Sequence, residues 1–210
     1  MRIVLEGISG SGKTSQALQL KRQLKRSAVV EIVGEFSRNA IGRAARRCYQ
    51  MNRERFVRFH ASEAYADQTH LVMLADAVSK AEEVSTSTAD VVLIDRLFDS
   101  WLCYSLAGKK RRVLSSADVL EELYRRSREE YLSDSQTVFL EVDVATALER
   151  LASRDDFGLK EGSERQLQEL AWFFSELYTR VPVHRVAAGR PFAEVTTAIA
   201  EAVGLKSMIS

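Results

Sequence analysis

Apolar residues in this chain of 210 residues gather in five short runs, and longer stretches with helical periodicity lie between the runs. Most of the runs are nearly continuous and rich in β-branched residues, which is typical of parallel strands covered on both faces. The five runs are residues 2–6, 28–33, 91–94, 137–142 and 183–186. The helical stretches are residues 15–24, 40–47, 53–83, 98–106, 117–131, 145–153, 163–180 and 192–203. This alternation predicts an α/β fold, with a doubly wound five-stranded parallel sheet flanked by helices.

Chain length and composition favour one domain over residues 1–210. The only prolines are Pro182 and Pro191, and neither a low-complexity linker nor a fixed-period repeat divides the chain. Sheets of this kind bind ligands at the carboxyl ends of their strands. We therefore expect function to lie in residues 7–14, around Glu35 and from Asp95 onward.

Residues 7–14 read Gly-Ile-Ser-Gly-Ser-Gly-Lys-Thr, the phosphate-binding pattern G-x-x-x-x-G-K-[ST]. Glycines let successive backbone N–H groups point at phosphate oxygens, and the helix that follows adds the positive end of its dipole. Lys13 is expected to reach the β- and γ-phosphates, and the Thr14 hydroxyl to ligate Mg²⁺. Strand, loop and helix in this order predict a P-loop NTPase fold that binds ATP, rather than a glycine-rich turn without a ligand.

Asp95 and Arg96 directly follow the apolar run at 91–94. A carboxylate at a strand end beside a phosphate loop can hold Mg²⁺, directly or through water, or orient the phosphate acceptor. Arg96 can bind a phosphate through two hydrogen bonds. The alternative interpretation is a structural ion pair at a strand end.

A polar, glycine-containing segment at residues 152–163 lies between two helical stretches. It is a candidate lid that would exclude water from a phosphoryl transfer site. Arg150 and Arg154 at its base are four residues apart and so share one helical face, where they could neutralise charge that develops during transfer. A surface loop with two exposed arginines is the alternative.

The formal net charge of +1 does not indicate a nucleic-acid or membrane partner. The basic run at residues 109–112 is interpreted as a solvated loop. No stretch reaches transmembrane length, and the first strand leaves no room for a signal peptide. Cys48 and Cys103 lack metal-ligand spacing and suggest thiols in a reducing compartment, so we expect a cytoplasmic protein.

Several segments, taken in chain order, resemble the thymidylate kinase family of nucleoside monophosphate kinases. The most discriminating is residues 95–104, Asp-Arg-Leu-Phe-Asp-Ser-Trp-Leu-Cys-Tyr, which is similar to the family signature D-R-[YF]-x-x-S-x-x-A-Y. Residues 3–7 resemble the strand that opens the family's phosphate loop. Residues 138–154 and 171–178 resemble its late strand and helix and the helix after its lid. Residues 35–42 match the family's E-P-G-G-T-P-[LI]-G more weakly.

The resemblance implies a role for each residue of three sets. Those at ATP would be Gly10, Ser11, Gly12, Lys13, Thr14, Ser15 and Arg154, with Mg²⁺ near Thr14 and Asp95. Those at the acceptor would be Ser9, Glu35, Arg38, Tyr65, Gln68, Arg96 and Ser100. Those assisting transfer would be Lys13, Asp95, Arg96, Arg150 and Arg154. The resemblance also implies a homodimer through the apolar faces of residues 61–84 and 97–106, which could equally belong to the core.

Departures from the family pattern fall on the acceptor side. Ser9 stands where many members carry a carboxylate that addresses the sugar, and Gly34 replaces an arginine. Gln68 stands where the family has a base-reading arginine, and Tyr65 is the nearest substitute for its stacking aromatic. A glutamine keeps hydrogen bonding but loses charge and reach. The altered positions argue against thymidine monophosphate as the substrate.

The leading hypothesis is an ATP-dependent kinase of a (deoxy)nucleoside monophosphate, which needs positioning and charge neutralisation rather than a covalent nucleophile. A second is a kinase of another small acceptor such as a nucleoside, with Glu35 or Asp95 as the base that an uncharged hydroxyl needs. A third is a nucleotide-binding regulatory module without catalysis, against which Lys13, Thr14, Asp95 and Arg96 argue.

Overall fold

The computed structural model describes residues 1–51, 66–109, 117–153 and 163–209. Residues 154–162 of the predicted lid, which include Arg154, lie outside the described residues. Tyr65 lies outside them too. The side chain of Gln68 also lies outside them, although its backbone is helical. The predictions for these three residues and for the lid therefore stay predictions.

Strands and helices alternate along the described chain. The strands are β1 (Arg2–Glu6), β2 (Val30–Val33), β3 (Val91–Asp95), β4 (Ser135–Glu141) and β5 (His184–Ala187). The helices are α1 (Lys13–Leu24), α2 (Ala40–Met51), α3 (Ala66–Ser85), α4 (Phe98–Lys109), α5 (Ala117–Leu132), α6 (Val144–Ala152), α7 (Ser163–Arg180), α8 (Phe192–Ala202) and a short 3₁₀ helix (Lys206–Met208).

The five strands form one parallel sheet in the order β2-β3-β1-β4-β5. This confirms the predicted α/β fold with a five-stranded parallel sheet. In the register between β1 and β3, Leu5 lies opposite Asp95. The loop after β1 and the turn after β3 therefore emerge side by side at the carboxyl edge of the sheet, where such folds bind ligands.

A hydrophobic cluster covers each face of the sheet because side chains alternate along every strand. Ile3 and Leu5 of β1 pack with α1 and α8, whereas Val4 packs with α3, α4 and α7. Glu6 continues the second set, so this strand places a carboxylate on the face covered by α4. That side chain is fully buried.

Candidate functional site

The loop at residues 7–14 follows a path that only glycine allows at two positions. Gly7 has φ 142° and Gly10 has φ 85°. A Cβ on Gly7 would lie 2.8 Å from the Leu140 carbonyl oxygen, and one on Gly10 would lie 2.5 Å from the Ala147 carbonyl oxygen. The loop therefore packs directly on the carboxyl end of β4 and on the first half of α6, which holds its backbone in place.

Lys13 is buried inside the loop. Its ammonium donates hydrogen bonds to the carbonyl oxygens of Gly7 (2.9 Å) and Ile8 (2.8 Å) and to Ser11 Oγ (3.2 Å). Burial, and then the nearby Arg96 guanidinium, lower the pKa of Lys13 to about 7. The loop thus surrounds a cation that is held close to the helix N-terminus. Ser15, two residues after Lys13, is exposed on the first turn of α1.

Thr14 and Asp95 meet where α1 begins and β3 ends. Thr14 Oγ1 donates to Asp95 Oδ2 at 2.5 Å. Mg²⁺ in proteins prefers oxygen ligands and typically takes one or two carboxylates together with substrate phosphates. A hydroxyl beside a carboxylate fits that donor set. No group of three or more His, Cys, Asp or Glu side chains in the described part of the chain could hold a metal ion without a substrate.

Arg96 adopts a strained backbone conformation. Among the described residues it is the one non-glycine residue with positive φ, at 64°. A side chain in this left-handed region costs roughly 1–2 kcal/mol, and such strain clusters at functional sites. The Arg96 guanidinium lies beside the phosphate loop, where Nη1 donates to the Gly7 carbonyl oxygen at 3.0 Å.

The remaining contacts of Arg96 bring the predicted acceptor-side residues together. Nη2 donates to Ser9 Oγ at 3.3 Å, and Nη1 donates to Ser100 Oγ at 3.1 Å. Nε lies 3.4 Å from Glu35 Oε1, and the guanidinium lies 5.4 Å from the centre of the Tyr104 ring. Glu35 is about half exposed (46%), so this cluster opens to solvent on the Glu35 side.

Two other predicted arginines lie elsewhere. Arg38 pairs with Glu31 Oε1 at 2.7 Å and donates to the Ile32 carbonyl oxygen at 3.3 Å, so its described side-chain contacts are with β2 rather than with Arg96. Arg150 donates to the Ala188 carbonyl oxygen at 2.8 Å and to that of Gly10 at 3.5 Å. Arg150 therefore joins the phosphate loop to the end of β5.

Glu6 is a site residue that the sequence reasoning missed. Its carboxylate accepts hydrogen bonds from the Leu97 N–H (2.7 Å), the Ser100 N–H (3.3 Å) and the Ser100 hydroxyl, and so caps the N-terminus of α4. Burial raises the pKa of Glu6 to about 6, and the charge of Asp99 adds to the rise. A charged residue that ends a buried strand just before the loop was the signal available in the sequence.

Asp99 on α4 is the second missed residue. It accepts hydrogen bonds from the hydroxyls of Tyr124 (3.0 Å) and Tyr178 (2.9 Å) and from Arg128 Nη1 (2.6 Å). The side chain of Asp99 is 1% exposed. This network ties α4 to α5 and α7, so the helix that follows Arg96 is anchored by polar bonds on both sides. Its partners lie far apart in sequence, and no local pattern indicates them.

A phosphate loop in the centre of a parallel sheet, with an aspartate at the end of the neighbouring strand, defines a P-loop phosphotransferase. The comparisons with known proteins agree with this class. The thymidylate kinase family profile matches residues 5–199, and the chain belongs to the thymidylate kinase family. It is therefore an enzyme that uses ATP as phosphate donor and acts on nucleotide-type substrates.

The chain is 26% identical to a thymidylate kinase of Synechococcus sp. (strain CC9311), over 96% of this chain and 94% of that protein. Among solved structures it resembles deoxyadenosine kinase from M. mycoides. The form with dCMP and a flexible dCDP has a TM-score of 0.68 at 14% identity, covering 97% of this chain and 99% of that one. The form with dATP has a TM-score of 0.67 at 15% identity, covering 97% and 100%. At these identities the likeness shows the shared fold.

In the described residues, no helix has both the length and the apolar character that crossing a bilayer requires.

Proposed function

We propose that this protein transfers the γ-phosphate of Mg²⁺-bound ATP to a (deoxy)nucleoside monophosphate. The observation that carries the proposal is the position of Arg96. Its guanidinium bonds the phosphate loop at Gly7 and Ser9 and also contacts Ser100 and Glu35 on the acceptor side. A cation at that junction favours a second anionic group beside the donor phosphates, and a monophosphate supplies one.

The reaction needs little covalent participation from the protein. The acceptor's own phosphate oxygen attacks the γ-phosphate, so no side chain has to remove a proton first. Lys13 and Arg96 stabilise the negative charge that spreads over the transferred group, and we expect Arg150 and Arg154, at the base of the predicted lid, to add to this. Thr14 and Asp95 would hold Mg²⁺, which would supply further charge neutralisation when bound.

A coupled assay of ADP release tests the proposal. Each common ribo- and deoxyribonucleoside monophosphate is offered with ATP and Mg²⁺, and the matching nucleoside is offered in parallel. We expect stimulation by at least one monophosphate and a marked preference for it over its nucleoside. Stimulation by nucleosides or sugars alone would overturn the proposal.

A second candidate function is nucleoside phosphorylation, which the pairing of Glu35 with Arg96 favours. Glu35 Oε1 lies 3.4 Å from Arg96 Nε and reaches solvent, so it could take a proton from a sugar hydroxyl. The variant Glu35→Gln separates the two functions. Loss of a general base would lower turnover by roughly 10²–10⁴-fold, whereas transfer to a monophosphate needs no such base.

We also propose that the protein is a homodimer in the cytoplasm. Its partners would be nucleotide substrates and not a nucleic acid. The predicted apolar face at residues 97–106 packs into the chain's own core, through Leu97, Trp101 and Leu102. On α3, however, Leu71 and Val72 are 61% and 48% exposed, which supports pairing through that helix. Light scattering of the wild type and of a Leu71→Asp variant tests this, because only the wild type should have the dimer mass.

A further inference from the structure

One face of α3 holds the turn between β2 and α2. Asp76 and Glu83 lie seven residues apart, so both project from the same side of the helix. Asp76 Oδ1 accepts from the Ser37 N–H at 3.0 Å, and Glu83 Oε1 accepts from the Arg38 N–H at 2.6 Å. Both bonds hold backbone groups of the segment that starts at Glu35.

Lys80 lies between these two acidic residues on the same face and is only 2% exposed. Its ammonium donates to the carbonyl oxygens of Glu35 (3.2 Å), Asp95 (2.8 Å) and Arg96 (2.6 Å). An ammonium has three donors, and these three acceptors use all of them. Two of the acceptors belong to the last residue of β3 and the turn that follows it, and the third belongs to the turn after β2.

The backbone that Lys80 holds is the strained part of the site. The carbonyls of Asp95 and Arg96 flank the α-carbon of Arg96, whose φ is 64°. Residues in sparsely populated conformations persist only when the surrounding structure over-determines them. A buried charge is itself costly, and burial lowers the pKa of Lys80. A well-packed apolar side chain would fill the same space at lower cost, but it could not hold the two turns together.

We propose that Lys80 is a positioning residue for the acceptor site. It joins the turn that carries Asp95 and Arg96 to the turn that carries Glu35, and so sets the distance between Arg96 and Glu35. It acts through three backbone carbonyls and does not touch the substrate. The inference rests on the proposed function in one respect, namely that Arg96 and Glu35 face the acceptor.

A structural role and a positioning role for Lys80 predict different kinetic results when the side chain is replaced. Loss of a purely structural contact lowers stability and leaves the kinetics of the folded fraction unchanged. Loss of a positioning contact changes acceptor kinetics in the folded enzyme and leaves metal-free ATP binding nearly unchanged, because the phosphate loop rests on Leu140 and Ala147, whereas Asp95 would act on ATP only through Mg²⁺. Comparing acceptor kinetics with ATP affinity therefore separates the two roles.

The central experiment compares Lys80→Met with the wild type well below both melting temperatures. We expect kcat/KM for the acceptor to fall about a hundredfold, since misplacement of about 1 Å costs that much. The dissociation constant for a fluorescent ATP analogue, measured without acceptor and without Mg²⁺, should change by about threefold at most. Acceptor kinetics equal to those of the wild type would overturn the proposal. So would a loss of ATP affinity as large as the loss of kcat/KM for the acceptor.

Two controls accompany this variant. Ile199→Ala removes a buried side chain of α8 on the opposite face of the sheet, so it should lower stability without altering acceptor kinetics. Lys206→Met removes an exposed lysine that pairs with Glu201, so it should alter neither. If Lys80→Met does not fold, Lys80→Arg takes its place, because the guanidinium keeps charge and donors but displaces them. The same comparison of acceptor kinetics with ATP affinity then applies.

Amide hydrogen exchange tests the inference independently of any acceptor. In Lys80→Met, peptides covering residues 34–38 and 95–97 should exchange faster, and peptides from β4 and α8 should not change. Unchanged exchange in both turns would overturn the positioning role. If the wild type uses nucleosides but no monophosphate, the proposed function fails while the Lys80 comparison proceeds with that nucleoside.

Discussion

The Thr14 hydroxyl donates a 2.5 Å hydrogen bond to the Asp95 carboxylate, across 81 residues of sequence. This bond joins the first turn of α1 to the end of β3. It places a hydroxyl oxygen and a carboxylate oxygen side by side next to the phosphate loop, which is the oxygen donor set that suits Mg²⁺.

Replacing Thr14 with valine should weaken metal use specifically. The side chain keeps its shape but loses one oxygen, so we expect the Mg²⁺ concentration for half-maximal activity to rise about tenfold, as for a loss of about 1.4 kcal/mol. A Mg²⁺ titration at saturating ATP measures this. Thr197→Val, which removes an exposed hydroxyl bonded to the Ala193 carbonyl, is the control and should not shift the titration.

Replacing Lys13 with alanine should abolish most transfer while the fold remains. The ammonium stabilises charge that develops on the transferred phosphoryl group, and losing one such donor costs about 10²–10³-fold in kcat. Single-turnover assays measure the loss, and circular dichroism checks the fold. Wild-type turnover in this variant would contradict the assignment of the phosphate loop as the donor site.

Glu6 should make stability depend on pH. Its pKa is raised from 4.5 to about 6 in the folded protein. The folded state therefore binds this proton more tightly than the unfolded state does. The charged form carries a cost that is fully present above pH 6, is lost as the pH falls from 6 to 4.5, and is absent below 4.5. From the size of the shift, that cost is about 2 kcal/mol.

The variant Glu6→Gln isolates this contribution. The difference in unfolding free energy, wild type minus Glu6→Gln, should increase by about 2 kcal/mol as the pH is lowered from 7 to 4.5. Urea denaturation at several pH values measures it. A difference that is constant over this range would show that Glu6 has an ordinary pKa.

Gly42→Ala should destabilise the protein, although alanine in a helix is normally about 1 kcal/mol better than glycine. A Cβ at Gly42 would lie 2.2 Å from the Ser37 carbonyl oxygen and 2.6 Å from Asp76 Oδ1. The added methyl group would therefore push apart the turn and α3. Thermal unfolding should show a lower Tm, whereas a raised Tm would mean that the turn yields easily.

The strands could be predicted because each is a local run of apolar residues with few competing patterns. The predicted run at 137–142 became Ser135–Glu141, and the run at 28–33 shortened to Val30–Val33. Such shifts at strand ends reflect pairing with neighbours, since Val30 begins its ladder opposite Val91. Local composition cannot show where a neighbouring strand begins.

The residues of the candidate site also fall into those that a local pattern predicts and those that depend on distant neighbours. Lys13, Thr14, Asp95 and Arg96 were predicted because each belongs to a short motif at a strand end. Glu6, Asp99 and Lys80 were missed because their roles depend on partners from 15 to 94 residues away. In the sequence they are charged residues that belong to no motif, which is also typical of ordinary surface positions.

The amino-acid sequence by itself therefore determined the alternation of strands and helices, the phosphate loop and the ATP donor. These depend on side-chain periodicity and on glycine, which act within a few residues. Only the tertiary structure decided that Arg96 pairs with Glu35, that Glu6 caps α4 and that Lys80 joins two turns. The physical reason is that hydrogen bonds and charges act over a few ångströms, and folding alone brings residues distant in sequence within that range.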